Sequence, residues 1–254
     1  MINNMKKWQI EIKGDTWDLE NLSNNHQSPD WSIIKIAEGD KDVYYLESSR
    51  FYELNNSKDV EKAARELILE INGVAKTEFP DYKQIELHGV ALLDENGQLN
   101  KFIHIKDSIH GRTKLYPPTI IQGDGTVEES KMPNRLKLIS ILAKTDENVR
   151  RALILFGKPK LSWNDLYGIY DIIKDNVELE EVKKTVNISS NQIKLFRRTC
   201  LRWEAVGDEA RHPSQKFDPP KNPMKYEDAV TLITKLYNAW ITKKKNEIPG
   251  RGPE

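Results

Sequence analysis

Apolar and polar residues alternate at Trp8, Ile10 and Ile12, the two-residue period of a strand with one buried face. Ile33-Ile34-Lys35-Ile36 and Val43-Tyr44-Tyr45-Leu46 are short β-type runs around Glu38-Gly39-Asp40-Lys41, a hairpin turn signal. The period then changes. Val60, Ala63, Ala64, Leu67, Ile68 and Ile71 recur at helical spacing; Ser57 is placed to cap this helix and Asn72-Gly73 to stop it. A second hairpin is predicted over 84–93 and 99–106. Ile85, Leu87, Ala91, Leu93, Leu99, Ile103 and Ile105 are all odd-numbered, so a single apolar face needs odd paired with odd. A three-residue loop, Glu95-Asn96-Gly97, gives that register and sets His88 opposite His104 on the other face.

Only helical patterns follow residue 133. Asn134 is placed to cap a helix carrying Leu136, Ile139 and Leu142, and a second carries Val149, Ala152, Leu153 and Phe156 and stops at Gly157. Ser162-Trp163-Asn164-Asp165 and Ser189-Ser190-Asn191-Gln192 have the spacing of capping boxes. The first opens a helix with Leu166, Ile169, Tyr170 and Ile173 on one side; the second opens one expected to run to about Val206. A last helix begins near Met224, with Glu227 and Asp228 in its first turn and Lys243-Lys244-Lys245 at its end, the order that suits the helix dipole. The fold class expected is therefore α+β: an N-terminal mixed domain with antiparallel hairpins over 1–106, then a C-terminal all-helical bundle over 134–245. The Pro- and Gly-broken stretch 107–133 reads as a linker, and 246–254 as a disordered tail.

Charge changes this picture more than composition does. The net charge is zero, yet residues 1–130 hold 15 Lys+Arg against 23 Asp+Glu and residues 131–254 hold 24 against 16. Two readings follow: the acidic and basic halves attract each other, or the basic half meets an anionic partner such as RNA or another polyanion; a protein partner is the further expectation. No apolar run approaches the roughly 18 residues of a membrane span. The single cysteine, Cys200, permits no internal disulfide, which fits a cytoplasmic protein, and it lies on a helical apolar stripe as a core residue rather than a nucleophile. Neither GxxxxGK[ST] nor GxGxxG occurs, which sets a P-loop enzyme aside, and no cofactor is expected. His88 and His104 lack a third ligand, so no metal site is expected either.

Two groups of residues carry candidate chemistry. At 100° per residue, Ile193, Phe196, Cys200 and Trp203 span about 80° of one helix, with Lys194, Arg197, Arg198 and Arg202 on the opposing arc. Lys194, Arg198 and Arg202 stack at i, i+4, i+8, a repulsive column that an acidic domain, a phosphate backbone or salt would relieve. The second group is Gly207-Asp208-Glu209-Ala210-Arg211-His212-Pro213. There His212 could transfer protons near neutrality, Arg211 and Arg202 could hold an anion, and Asp208 or Glu209 could orient the imidazole. The alternative is a polar corner between helices, with Gly207 ending one and Arg211 paired to Asp208 or Glu209.

An amphipathic helix, this Arg- and His-bearing segment, a proline-rich connection and a closing Met224-Lys225-Tyr226-Glu227-Asp228-Ala229 helix together resemble the C-terminal half of HEPN-type helical domains, common in bacterial toxins and phage-defence proteins. The resemblance implies a helical bundle over 134–245. In HEPN ribonucleases an Arg precedes the catalytic His by five to seven positions; here Val206 and Gly207 stand six and five before His212, so the catalytic motif is not carried over. The whole chain is also similar to a bacterial family with the same layout and a like Gly-Asp-Glu-Ala-Arg-His segment, which implies no activity. The expected function is an interaction or anion-binding protein, in a defence or toxin setting by resemblance. The alternatives are a metal-independent ribonuclease centred on His212 and a scaffold closed by its own two halves.

Overall fold

The computed structural model describes residues 7–25, 28–39, 41–79, 81–93, 99–102, 132–211 and 218–247. The fold is α+β, an antiparallel five-stranded sheet with helices followed by a helical region. In the first part β1 (Lys7–Lys13), α1 (Thr16–Asn25), β2 (Trp31–Glu38), β3 (Lys41–Ser48), α2 (Ser57–Glu78), β4 (Glu86–Leu93) and β5 (Leu99–Phe102) succeed one another. The helical region holds α3 (Met132–Thr145), α4 (Glu147–Phe156), α5 (Trp163–Asn176), α6 (Leu179–Thr185), α7 (Ser190–Cys200), α8 (Trp203–Val206) and α9 (Tyr226–Asn246). Contacts group Met1–Arg65 with Ile85–Ser140 in one unit and Glu66–Gln84 with Ile141–Glu254 in another, so the division falls inside α2 and α3.

The sheet order is β2-β3-β1-β4-β5. Residues directly opposite one another point to the same side of a sheet, so Ile33, Leu46, Ile10 and Val90 form one cross-strand row, and all four are buried. The β2–β3 turn closes from Glu38 to Lys41, with Gly39 at φ 63°, a backbone setting that favours glycine. The β4–β5 register pairs Leu93 with Leu99 and Ala91 with Lys101, the odd-with-odd pairing expected from the apolar pattern.

The single odd-numbered apolar face does not persist along β4. Glu11 pairs with Gly89 and Ile12 with Leu87, which leaves His88 as the extra residue of a β-bulge. Beyond it Val90 and Leu92 share the side of Trp8 and Ile10, while Ala91 falls on the other side with Gln9. Periodicity assumes an uninterrupted ladder, and one inserted residue inverts it.

Two helix boundaries also differ from expectation. The cap of α2 is Asn56, whose side chain accepts from the Asp59 N–H at 2.9 Å, rather than Ser57. Gly73 does not end α2, which continues to Glu78. A side chain at Gly73 would overlap the backbone carbonyl of Leu153, so glycine is there for close approach. α1, carrying only Leu19 and Leu22 as buried aliphatics, was not expected; Ser23 Oγ donates to the Ile33 carbonyl at 3.0 Å and fixes it beside β2.

In the helical region α3 begins at Met132, two residues before the expected cap. Asp146 caps α4, and both capping boxes form, at Ser162/Asp165 and Ser189/Gln192. α5 packs against α4, α7 and α9, and α6 against α9. Ala229, Leu232, Ile233, Leu236, Tyr237 and Trp240 are the buried stripe of α9. Among the described residues no helix is long and apolar enough to cross a membrane.

Candidate functional site: a cation-lined cavity in the helical region

The two capping boxes fix where α5 and α7 start, and aromatic packing fixes how they face each other. Phe196 of α7 is stacked against Tyr167 with ring centroids 6.2 Å apart and meets Tyr170 edge-on at 5.7 Å. With Ile193, Phe196 and Cys200 turned inward, α7 carries Lys194, Arg197 and Arg198 on its remaining arc. α6 completes the enclosure. The three helices and Leu201 bound a cavity of about 390 Å³. Among the described residues Tyr170, Leu179, Ile193 and Leu201 supply its apolar lining; Lys183, Lys194, Arg197 and Arg198 supply four cations; Glu180 is the one carboxylate.

These cations are not equivalent. Lys183 is buried, and its Nζ donates to Glu180 Oε1 at 2.6 Å and to Ser190 Oγ at 2.8 Å, so its charge is neutralised locally and it ties α6 to the first turn of α7. Arg197 is exposed; the Tyr167 hydroxyl beside it raises its pKa against the opposing effect of burial. Burial raises the pKa of the Tyr170 hydroxyl, which stays neutral. Lys194 is exposed at the cavity. Arg198 donates through Nη2 to the Asp218 carbonyl at 2.6 Å, and its Nε–H is buried with no hydrogen-bond partner among the described residues.

Arg202, expected on the same arc, is elsewhere. α7 ends at Cys200, Arg202 is extended (φ −110°, ψ 119°), and a separate short helix, α8, begins at Trp203. Arg202 is buried and fork-bonded to Glu204 at 3.0 and 2.6 Å. The column of charges at i, i+4, i+8 therefore stops at Arg198. Trp203, expected on the core stripe, is 58% exposed for the same reason.

The segment after α8 is partitioned among several partners. Gly207 ends α8 at φ 59°. The Asp208 carboxylate accepts from Trp203 Nε1 at 3.4 Å. Glu209 accepts from the Trp163 N–H at 2.9 Å, at the positive end of the α5 dipole, with Lys160 3.9 Å away. Arg211 pairs with Asp171 at 3.1 Å and lies 5.1 Å from the Tyr167 ring centroid, while its N–H donates to the Cys200 carbonyl at 2.9 Å. The structure brings Lys194, Arg197 and Arg198 together at one cavity and holds Arg202, Asp208, Glu209 and Arg211 to separate partners. His212 lies outside the described residues, as does His104.

Sequence reasoning missed Lys183, Glu180 and Ser190, because α6 is a seven-residue helix whose only buried aliphatic is Val182. Glu180 and Lys183 at i, i+3 were the available signal. In the sheet, His88 lies 3.7 Å from Glu11, and Lys101 bridges Glu11 and Glu38 at 3.5 and 3.1 Å. Among the described residues no group of three or more His, Cys, Asp or Glu side chains is arranged to hold a metal ion. Cys200 is fully buried, and burial pushes its thiol pKa far up, so it carries no nucleophile.

No protein-family model, curated protein or solved structure matches the chain.

Proposed function

We propose that this is an anion-binding protein whose site is the cavity between α5, α6 and α7, and that the ligand carries phosphate. The observation that carries this reading is the convergence of Lys194, Arg197 and Arg198 on one cavity. Among the described residues lining it, the one carboxylate, Glu180, is already bonded to Lys183. A phosphate seated among these cations accepts charge-assisted bonds from them, and Arg is suited to such recognition by its planar fork of donors. The cavity volume, about 390 Å³, falls within the range of small-ligand sites. The ribonuclease alternative centred on His212 draws no support from Arg211, Asp208 and Glu209, which are engaged by Asp171, Trp203 and Trp163.

The test is titration of the full chain at low salt with inorganic pyrophosphate and with phenyl phosphate, followed by amide shifts of α7. Saturable binding of either that weakens as salt is raised, and is lost in a Lys194→Glu/Arg197→Glu double variant, is the expected result. Binding of neither, or binding indifferent to the charge reversal, overturns the reading.

A further inference from the structure

The cavity is graded rather than uniformly cationic. Of its lining side chains Tyr170, Lys183 and Ile193 are buried, at 1%, 4% and 6% exposed, while Lys194 and Arg197 stand exposed. The buried Lys183 does not break this gradient, because it is paired with the Glu180 carboxylate and bonded to Ser190, which take two of its three donors. Leu179 and Leu201, both half-buried, extend the apolar floor.

From this gradient we infer that the ligand is a small amphipathic phosphomonoester, a phosphate joined to one compact aromatic or aliphatic body, rather than a bare anion or a nucleic-acid strand. The inference rests on the anion-binding reading above and adds the ligand class to it. A bare phosphate engages Lys194, Arg197 and Arg198 and leaves the floor against water. An apolar body laid on Ile193, Leu179 and Leu201 removes that surface from water, which is favourable in proportion to the area covered. The charged end then stays at the mouth, where desolvation is smallest. A polyanionic strand instead calls for a row of cations along its path, and Arg202, which would have continued the row from Lys194 and Arg198, is buried against Glu204.

The experiment compares inorganic phosphate, phenyl phosphate, 1-naphthyl phosphate and decauridylate on the full chain at about pH 8, where both phosphate oxygens of a monoester are ionised. Affinity is expected to rise roughly tenfold from inorganic phosphate to phenyl phosphate, with the amides of Ile193, Lys194 and Leu201 shifting together. A Leu179→Ser variant, checked for an unchanged circular-dichroism spectrum, is expected to lose that gain while still binding inorganic phosphate. If the variant misfolds, a 1-naphthyl phosphate affinity at or above that of phenyl phosphate is the supporting result. Equal affinity for inorganic and phenyl phosphate overturns the ligand class and leaves the anion site standing. Binding of decauridylate alone overturns the ligand class and, where pyrophosphate also fails to bind, the anion site with it. Failure of all four probes overturns both.

Discussion

Gly73 of α2 lies directly against the backbone carbonyl of Leu153 in α4, and the contact is reciprocated, since Gly157 at the end of α4 lies against the carbonyl of Leu69. Neither glycine needs its conformational freedom: Gly73 is mid-helix and Gly157 has φ −68°. Each is present because a Cβ would overlap main-chain atoms that cannot rotate away. The Gln84 side chain and the Lys76 ammonium donate to the carbonyls of Gly157 and Lys158, using acceptors that the end of α4 leaves open.

Gly73→Ala is therefore expected to destabilise the fold. Alanine improves helix propensity by about 1 kcal/mol, but forcing two helices apart costs typically about 1–3 kcal/mol and strains their other contacts. Urea denaturation should show a net loss, and Gly157→Ala should behave likewise. An alanine variant at either position that is more stable than the parent contradicts the close approach.

Much of the fold was legible because its elements obey their local periods. Trp8, Ile10 and Ile12 declared β1, Ser162/Asp165 and Ser189/Gln192 declared the starts of α5 and α7, and the odd-numbered run fixed the β4–β5 register. The failures share a cause. Gly73 signals a stop locally but serves a partner 80 residues on, and the His88 bulge inverts a face through its ladder with β1. At the candidate site, Lys194, Arg197 and Arg198 were visible as a helical arc, whereas the break after Cys200 that removes Arg202 has no glycine or proline to announce it.

Arg202 and Lys194 should consequently respond differently to truncation. Arg202 is 8% exposed, so Arg202→Ala removes the buried packing of its side chain, for an expected loss of about 1–3 kcal/mol. Lys194 is exposed, and Lys194→Ala should shift stability by no more than about 0.5 kcal/mol. Urea midpoints of the two variants check the contrast, and equal losses would contradict the placement of Arg202.

The helical region should weaken in acid through Asp146. Burial raises the pKa of this carboxyl, but the Lys244 ammonium at 2.5 Å and the N–H groups of Val149 and Asn148 outweigh burial, so the net shift is downward. A carboxylate depressed in the folded state contributes stability that is fully present above its unfolded value, about 3.9, and is lost as pH falls through the folded value. Asp146→Asn keeps a competent helix cap while removing the charge. The stability gap between parent and variant should thus be widest at neutral pH and close between about pH 4 and pH 2. A gap independent of pH would mean that Lys244 does not stabilise the ionised carboxylate.

Cys200 gives the most direct check on how α7 is seated. Its side chain has no exposed surface, its neighbour one turn back is Phe196, and its carbonyl accepts the Arg211 N–H. The thiolate is the reactive form of cysteine, and burial suppresses it twice, by raising the pKa and by blocking access. A chromogenic disulfide reagent should therefore react with the single thiol slowly in the native chain and quickly in urea, at a native rate limited by opening of the helix. Prompt reaction in the native chain would mean that α7 does not hold Ile193, Phe196 and Cys200 inward, and the arc that carries Lys194, Arg197 and Arg198 to the cavity would lose its footing.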